Sequence, residues 1–306
     1  MRRVLLSFIT LFLILVGREA YGQCPSPTTI STPGNGSWPV PSGVTSITVE
    51  VWGAGGAGGV AGSNPSAGGG GSGGGYVRTN LSVTPGSSIN YFVGSGGSGA
   101  SGSDGQSSWF QTNSSIFAVG GRGAGTSSGI GTGALAVTSG NLGGTLASWY
   151  GGAGGNTNGT TTSGGGGASA GTSGNGNPAS GSTGGTSTNG STVGPNGVSG
   201  TSNGNSGNSP GSGGSGGIRN SGSSRNGGNG GNGRIIITVN PSAVGAISAN
   251  QAICSGSSPS NLTVASATGT IQWQRADDLA FTANVTNVGT NSTTLTSAQV
   301  GALTAT

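Results

Sequence analysis

The chain has 306 residues, of which 72 are glycine and only 5% are charged, against roughly 7% glycine and 25% charged residues in ordinary globular proteins. It contains no Lys and no His: all nine basic residues are Arg, set against five acids, for a formal net charge of +4. A Ser-His-Asp triad, a Cys-His pair, a His-liganded metal site, a Walker lysine and Schiff-base chemistry on Lys are therefore excluded, so an enzyme is not expected, and neither is a cofactor or a metal.

The amino terminus reads as an export signal over residues 1–22. Met1-Arg2-Arg3 is positive, and Val4 to Val16 is apolar apart from Ser7 and Thr10. That run is too short to cross a hydrocarbon core of roughly 30 Å comfortably. Ala20-Tyr21-Gly22 supplies small residues for cleavage before Gln23, and Gln23 argues against a lipid-modified Cys24. The membrane is expected to matter only through this segment. Without it, six Arg (78, 122, 219, 225, 234, 275) face Glu50, Asp104, Asp277 and Asp278, a scattered +2. Such a distribution offers no stripe for phosphates, so nucleic acid is not an expected partner. Cys24 and Cys254 are the only cysteines, and their pairing cannot be read from the sequence.

From Gln23 to residue 240 the pattern is one of short strands separated by glycine tracts. Ser46 to Trp52 alternates, with Ile47, Val49 and Val51 on one face, and predicts a half-buried strand. Tyr76–Val83 and Ser88–Gly94 flank the turn sequence Thr84-Pro85-Gly86-Ser87, which predicts a hairpin over 76–94. Trp109-Phe110 and Ile116–Val119 predict two short strands. Arg234–Val239, rich in β-branched residues, predicts the strongest strand.

The tracts themselves cover 53–75, 94–105, 120–133 and about 151–233. Two readings stand. Either they are disordered, because glycine has the most backbone entropy to lose and little to bury, or they lie as bundled polyproline II-type helices with three residues per turn. The repeat Asn226-Gly227-Gly228-Asn229-Gly230-Gly231-Asn232-Gly233 has that period of three.

Ser37 to Gly56, through Ile47-Thr48-Val49-Glu50-Val51-Trp52-Gly53-Ala54, resembles the opening of a bacterial exported glycine-rich domain, and Gly231 to Ile237 resembles its closing strand. This family occurs in phage tail-fibre adhesins and Bacteroidota surface proteins, and it is similar to the glycine-rich ectodomain of anaplastic lymphoma kinase type receptors. The resemblance, spanning roughly 33–240, implies an all-β fold: a jelly-roll-like β-sandwich with inserted polyglycine helices, which favours the ordered reading.

Beyond Pro241 glycine becomes ordinary. Ala246–Ser248, Asn261–Val264, Thr270–Arg275 and Ser292–Thr296 are expected strands. Ile253-Cys254-Ser255-Gly256, Thr268–Gln274 and Leu295–Leu303 resemble the immunoglobulin-like repeats of Bacteroidota surface proteins. That resemblance implies a buried Trp273 and, with four strands only, an incomplete β-sandwich over 241–306 whose Cys254 partner lies in a missing continuation. The expected domains are thus 1–22, 23–240 and 241–306.

Few residues carry candidate chemistry. Asp277-Asp278 is read as a solvated loop rather than a Ca2+ site, since the six to eight oxygens such a site needs are not nearby. Asp104, near Gly96-Gly97-Ser98-Gly99, matches no calcium-binding repeat. Trp109, Trp149 and Tyr150 are the residues singled out for ligand or partner contact. Trp149-Tyr150, isolated among glycines, suits an aromatic platform for sugars; a plug packed against the polyglycine bundle is the preferred alternative. The expected function is an exported, non-enzymatic structural or adhesion protein acting on a cell-surface or extracellular macromolecule, a glycan among the candidates. The alternative is a carbohydrate-binding accessory part of a larger exported enzyme.

Overall fold

The computed structural model describes residues 26–42, 44–136, 146–188, 190–240, 258–264, 271–276 and 284–301. These form an all-β protein of two compact units, residues 26–240 and 258–301. The segment 1–22 expected as an export signal, Cys24, Cys254, the strand expected at Ala246–Ser248 and the Asp277-Asp278 pair lie outside the described residues.

In the first unit the strands are β1 (Thr28–Ile30), β2 (Gly34–Pro39), β3 (Ser46–Trp52), β4 (Val60–Ala61), β5 (Ser66–Ala67), β6 (Tyr76–Ser82) and β7 (Ser88–Val93). There follow β8 (Ser108–Phe110), β9 (Ile116–Ala118), β10 (Thr126–Ser127), β11 (Ala147–Trp149), β12 (Ile218–Arg219) and β13 (Arg234–Val239). A five-stranded sheet, β1-β13-β3-β6-β11, packs on a four-stranded sheet, β2-β7-β8-β9. The alternation of β3 decides which side faces in. Ile47, Val49 and Val51 join Val77, Ile235 and Ile237, and meet Trp38, Val93, Phe110, Ile116 and Ala118 of the other sheet. Burial of each large side chain contributes about 1.5–3 kcal/mol. Trp38 and Phe110 lie at the centre, 6.4 Å between ring centroids.

The hairpin expected over 76–94 does not form. Its turn does: Ser87 N–H donates to Thr84 O at 3.1 Å, with Gly86 at φ 75°. The strands on either side, however, enter different sheets. β6 pairs with β3 and β11, whereas β7 pairs with β2 and β8. Two hydrogen bonds fasten the turn to the end of β2: Val40 N–H donates to Ser87 O, and Gly86 N–H to Val40 O. A neighbour whose Trp38 completes the core therefore takes β7 away from β6.

The described glycine tracts are ordered, as bundled extended segments. Residues 53–59 show the construction. Gly53, Gly56 and Gly59 donate to Gly75, Ser72 and Gly69; Ala54 and Ala57 donate to Gln106 and Ser103; Gly55 and Gly58 donate to Gly231 and Gly228. Their carbonyls accept from Gly121 and Ala124, from Gly97, and from Gly214 and Gly217. Every third residue returns to the same neighbour, and six segments surround this one. That is how a threefold helix with no internal hydrogen bonds satisfies a buried backbone. Residues 68–75, 163–171 and 211–217 are likewise buried and bonded on all sides. The interior of the bundle is thus backbone, not hydrocarbon.

This packing explains the composition. A Cβ on Gly56 would stand 1.9 Å from Arg122 O, and one on Gly216 would stand 1.8 Å from Gly68 O. Small side chains occur only where the third face allows them, as Ala54 and Ala57 in one segment and Ser212 and Ser215 in another, all fully buried. Buried serines also complete the bonding. Ser72, Ser163, Ser169, Ser212 and Ser215 accept from the N–H groups of Arg122, Val198, Thr192, Asn208 and Asn205 at 2.6–2.8 Å. On the rim, Asn229 and Asn232 present their side chains to the N–H groups of Gly99 and Gly96.

In the second unit β14 (Leu262–Thr263) pairs with β17 (Thr294–Leu295), and β15 (Trp273–Arg275) with β16 (Thr286–Val288). Trp273 is buried, and its Nε1 donates to Ser292 O at 2.9 Å. Residues 286–288 and a helical turn, α1 (Ser297–Val300), are elements the sequence pattern does not announce. The turn is closed by Gln299 Oε1, which accepts from Thr296 N–H at 2.9 Å.

Candidate functional site

Two aromatic rows run across the first unit, one on the outer face of each sheet. Strand parity builds both. In the five-stranded sheet the core residues of β3 are Ile47, Val49 and Val51, so Trp52 points away from the core. The register then aligns Arg234, Trp52, Tyr76 and Trp149 on β13, β3, β6 and β11. Trp52 and Tyr76 are tilted rings 4.6 Å apart, and the Arg234 guanidinium lies 4.6 Å from the Trp52 ring.

This first row is covered by the bundle. Trp52 and Tyr76 pack on Ala170, and Trp52 Nε1 donates to Ala170 O at 3.2 Å. Tyr76 donates to Glu50 Oε1 at 2.6 Å; burial, helped by Glu50, pushes the Tyr76 pKa far above its ordinary value of 10.0. Burial lowers the Arg234 pKa, and the nearby Glu50 charge opposes that shift. Trp149 packs against this cluster, and its Nε1 is buried without a hydrogen-bond partner. Trp149 is half-buried against that cluster rather than standing free of it. Tyr150 begins the next extended segment: its N–H donates to Asn175 Oδ1, and its carbonyl accepts from Gly176.

Trp109 belongs to the second row, on the other sheet. Phe110 of β8 points into the core, so Trp109 points out. The register places Asn35, Phe92, Trp109 and Phe117 side by side on β2, β7, β8 and β9. Phe92 and Trp109 stack, with centroids 6.2 Å apart and planes 20° from parallel. All three rings are half-buried, while Asn35, Ser37 and Asn90 on the same face are exposed. A shallow depression lies against Asn35, Ser37, Asn90 and Trp109. The structure thus separates Trp109 from the Trp149-Tyr150 pair. Phe92 and Phe117 are site residues that sequence reasoning misses; each lies in a run of apolar residues whose outward member shows only once the partner strand is known.

Asp104 braces the bundle. Its Oδ1 accepts from Gly123 N–H at 2.7 Å, which ties two segments together. Among the described residues no helix is long and apolar enough to cross a membrane.

A β-sandwich whose loops are drawn out into a hydrogen-bonded polyglycine bundle defines the class of protein. The glycine-rich domain family matches residues 29–240, and the chain belongs to that family. Residues 243–306 match a domain of unknown function (DUF8696). A comparison with curated proteins returned no match.

Proposed function

We propose that the chain is an exported, non-catalytic protein of the cell surface or the extracellular medium, acting in adhesion or structural display towards a cell-surface or extracellular macromolecule. The bundle is the observation that carries this reading. Its interior is backbone bonded in three directions, a scaffold held by geometry more than by apolar packing. Its rim is mostly neutral Asn, Ser and Thr, with isolated charges such as Asp104 and Arg122, which suits a body that holds a shape in water and presents a surface. The sequence of residues 1–22, which reads as an export signal, supports the location. Residues 241–306 are proposed as an immunoglobulin-like repeat of the Bacteroidota surface type, a reading supported by the burial of Trp273. The accessory-module alternative, with Trp149 and Tyr150 as the sugar platform, has less support, because Trp149 packs into the covered row.

The test uses the source cells. Antibody against the domain should label unpermeabilised cells or the culture medium, and a deletion strain should lose attachment to surfaces or envelope integrity. Protein confined to the cytosol, or a deletion strain unchanged in both respects, would overturn the proposal.

A further inference from the structure

The outer face of the four-stranded sheet combines a row of aromatic rings with neutral polar side chains. Three aromatic rings stand in register on β7, β8 and β9. With strands about 4.8 Å apart, the row is about 10 Å long. The other outward side chains on β2 and β7 are Asn35, Ser37, Pro39, Ser88 and Asn90, all neutral. The amides of Asn35 and Asn90 and the indole N–H of Trp109 make no hydrogen bond to the described residues, and none of the three is a buried orphan.

We propose that this face binds a neutral polysaccharide, with Phe92, Trp109 and Phe117 as the stacking row and Asn35, Asn90 and Trp109 Nε1 as the hydrogen-bonding groups. The proposal deepens the adhesive reading above and rests on it, since it names the ligand class. The chemistry decides between ligands. Sugar rings offer C–H faces to the aromatic rings and equatorial hydroxyls to the amides beside them. A purely apolar partner would bury the three polar groups unpaired, which is unfavourable. An anionic ligand would find no cation on this face. The row on the other sheet is excluded because the bundle covers it. Only a ligand that is both hydroxylated and flat uses every group present.

The test is affinity electrophoresis of the full chain through gels containing neutral α- or β-glucan, mannan or xylan. At least one polysaccharide should retard the protein. Trp109→Ala should weaken that retardation about tenfold or more, and Asn90→Asp should weaken it as well. Asn90 is exposed, so its variant keeps the fold, which circular dichroism confirms; a Trp109→Ala chain that fails to fold therefore leaves the test intact. Trp149→Phe, in the covered row, should bind like the parent. No retardation by any of these glycans, or retardation that survives Asn90→Asp and a folded Trp109→Ala, overturns the site. The two levels separate in cells. If a Trp109→Ala strain displays the protein and attaches normally, the glycan site falls and the adhesive reading stands. If the protein is found only in the cytosol, the adhesive reading itself falls.

Discussion

The guanidinium of Arg234 lies 4.6 Å over the ring of Trp52, its cross-strand neighbour, and the Trp52 indole donates to Ala170 O at the edge of the bundle. One side chain thus joins the last strand, the central strand and the polyglycine region, which are distant in sequence. Arg234 sits there despite burial that lowers its pKa, so the ring and Glu50 together offset part of its desolvation. Replacing Trp52 by Phe keeps most of the apolar area but removes the N–H and weakens the cation–ring attraction. The expected cost is about 1–2 kcal/mol, measured by urea unfolding followed by circular dichroism. A variant as stable as the parent would mean that the contact only fills space.

Much of the sandwich is legible in the chain, because period-two patterns survive wherever one face is buried. Ile47, Val49 and Val51 announce β3, and the β-branched run 235–239 announces β13. Pro85-Gly86 announces its turn just as reliably. What such local signals cannot give is the partner. The strands flanking that turn separate because β2, itself a Gly-Asn-Gly-Ser segment with little strand character, supplies Trp38 to the core. The second aromatic row fails to show in the sequence for the same reason. Phe92, Trp109 and Phe117 become neighbours through register, and single-chain spacing carries no trace of it. The bundle is half visible, in the Asn226-Asn229-Asn232 period. Its six-neighbour packing arises from contacts among tracts that match one another only in composition.

Glycine in the bundle is a steric requirement, and position matters more than number. A Cβ at Gly56 would meet Arg122 O at 1.9 Å, and both backbones are fixed by hydrogen bonds to further segments. Gly56→Ala should therefore destabilise the first unit by more than about 3 kcal/mol. At Gly129 nothing stands within 4 Å of the same atom, and the backbone is not left-handed. Gly129→Ala should change stability by less than about 0.5 kcal/mol. Thermal melts of the two variants side by side decide the matter. Equal effects would mean that the segments shift apart freely.

Tyr76 gives the first unit an alkaline limit. Its hydroxyl donates to Glu50, and burial holds its pKa far above 10.0 in the folded state. In the unfolded chain it ionises near its ordinary value, about 10. Above that pH the folded state binds one proton more than the unfolded state. The contribution is therefore fully present below about pH 9 and is lost as pH rises past about 10, by up to about 1.4 kcal/mol per unit. Tyr76→Phe should cost about 1–2 kcal/mol at neutral pH, yet decline less steeply than the parent between about pH 9 and 11. Parallel denaturation curves for parent and variant across that range would refute the assignment.

Ser212 and Ser215 test whether hydroxyls complete the bundle's bonding. They lie three residues apart on one buried face, and both serve the same neighbouring segment: Ser212 Oγ accepts from Asn208 N–H at 2.6 Å, and Ser215 Oγ from Asn205 N–H at 2.8 Å. Alanine fits the space, as Ala54 and Ala57 do in the adjoining segment, so the substitution removes the acceptor without creating a clash. Each change should cost about 1 kcal/mol, since the orphaned N–H lies on a segment with exposed side chains and partly recovers water. The sharper expectation is local. In Ser212→Ala amide hydrogen exchange should speed up at Asn208, and in Ser215→Ala at Asn205. The amides of Gly213 and Gly216, which donate to residues 167 and 164, should stay protected. Faster exchange spread evenly over 203–217 would mean instead that each serine holds the whole segment in place, with no N–H of its own to satisfy.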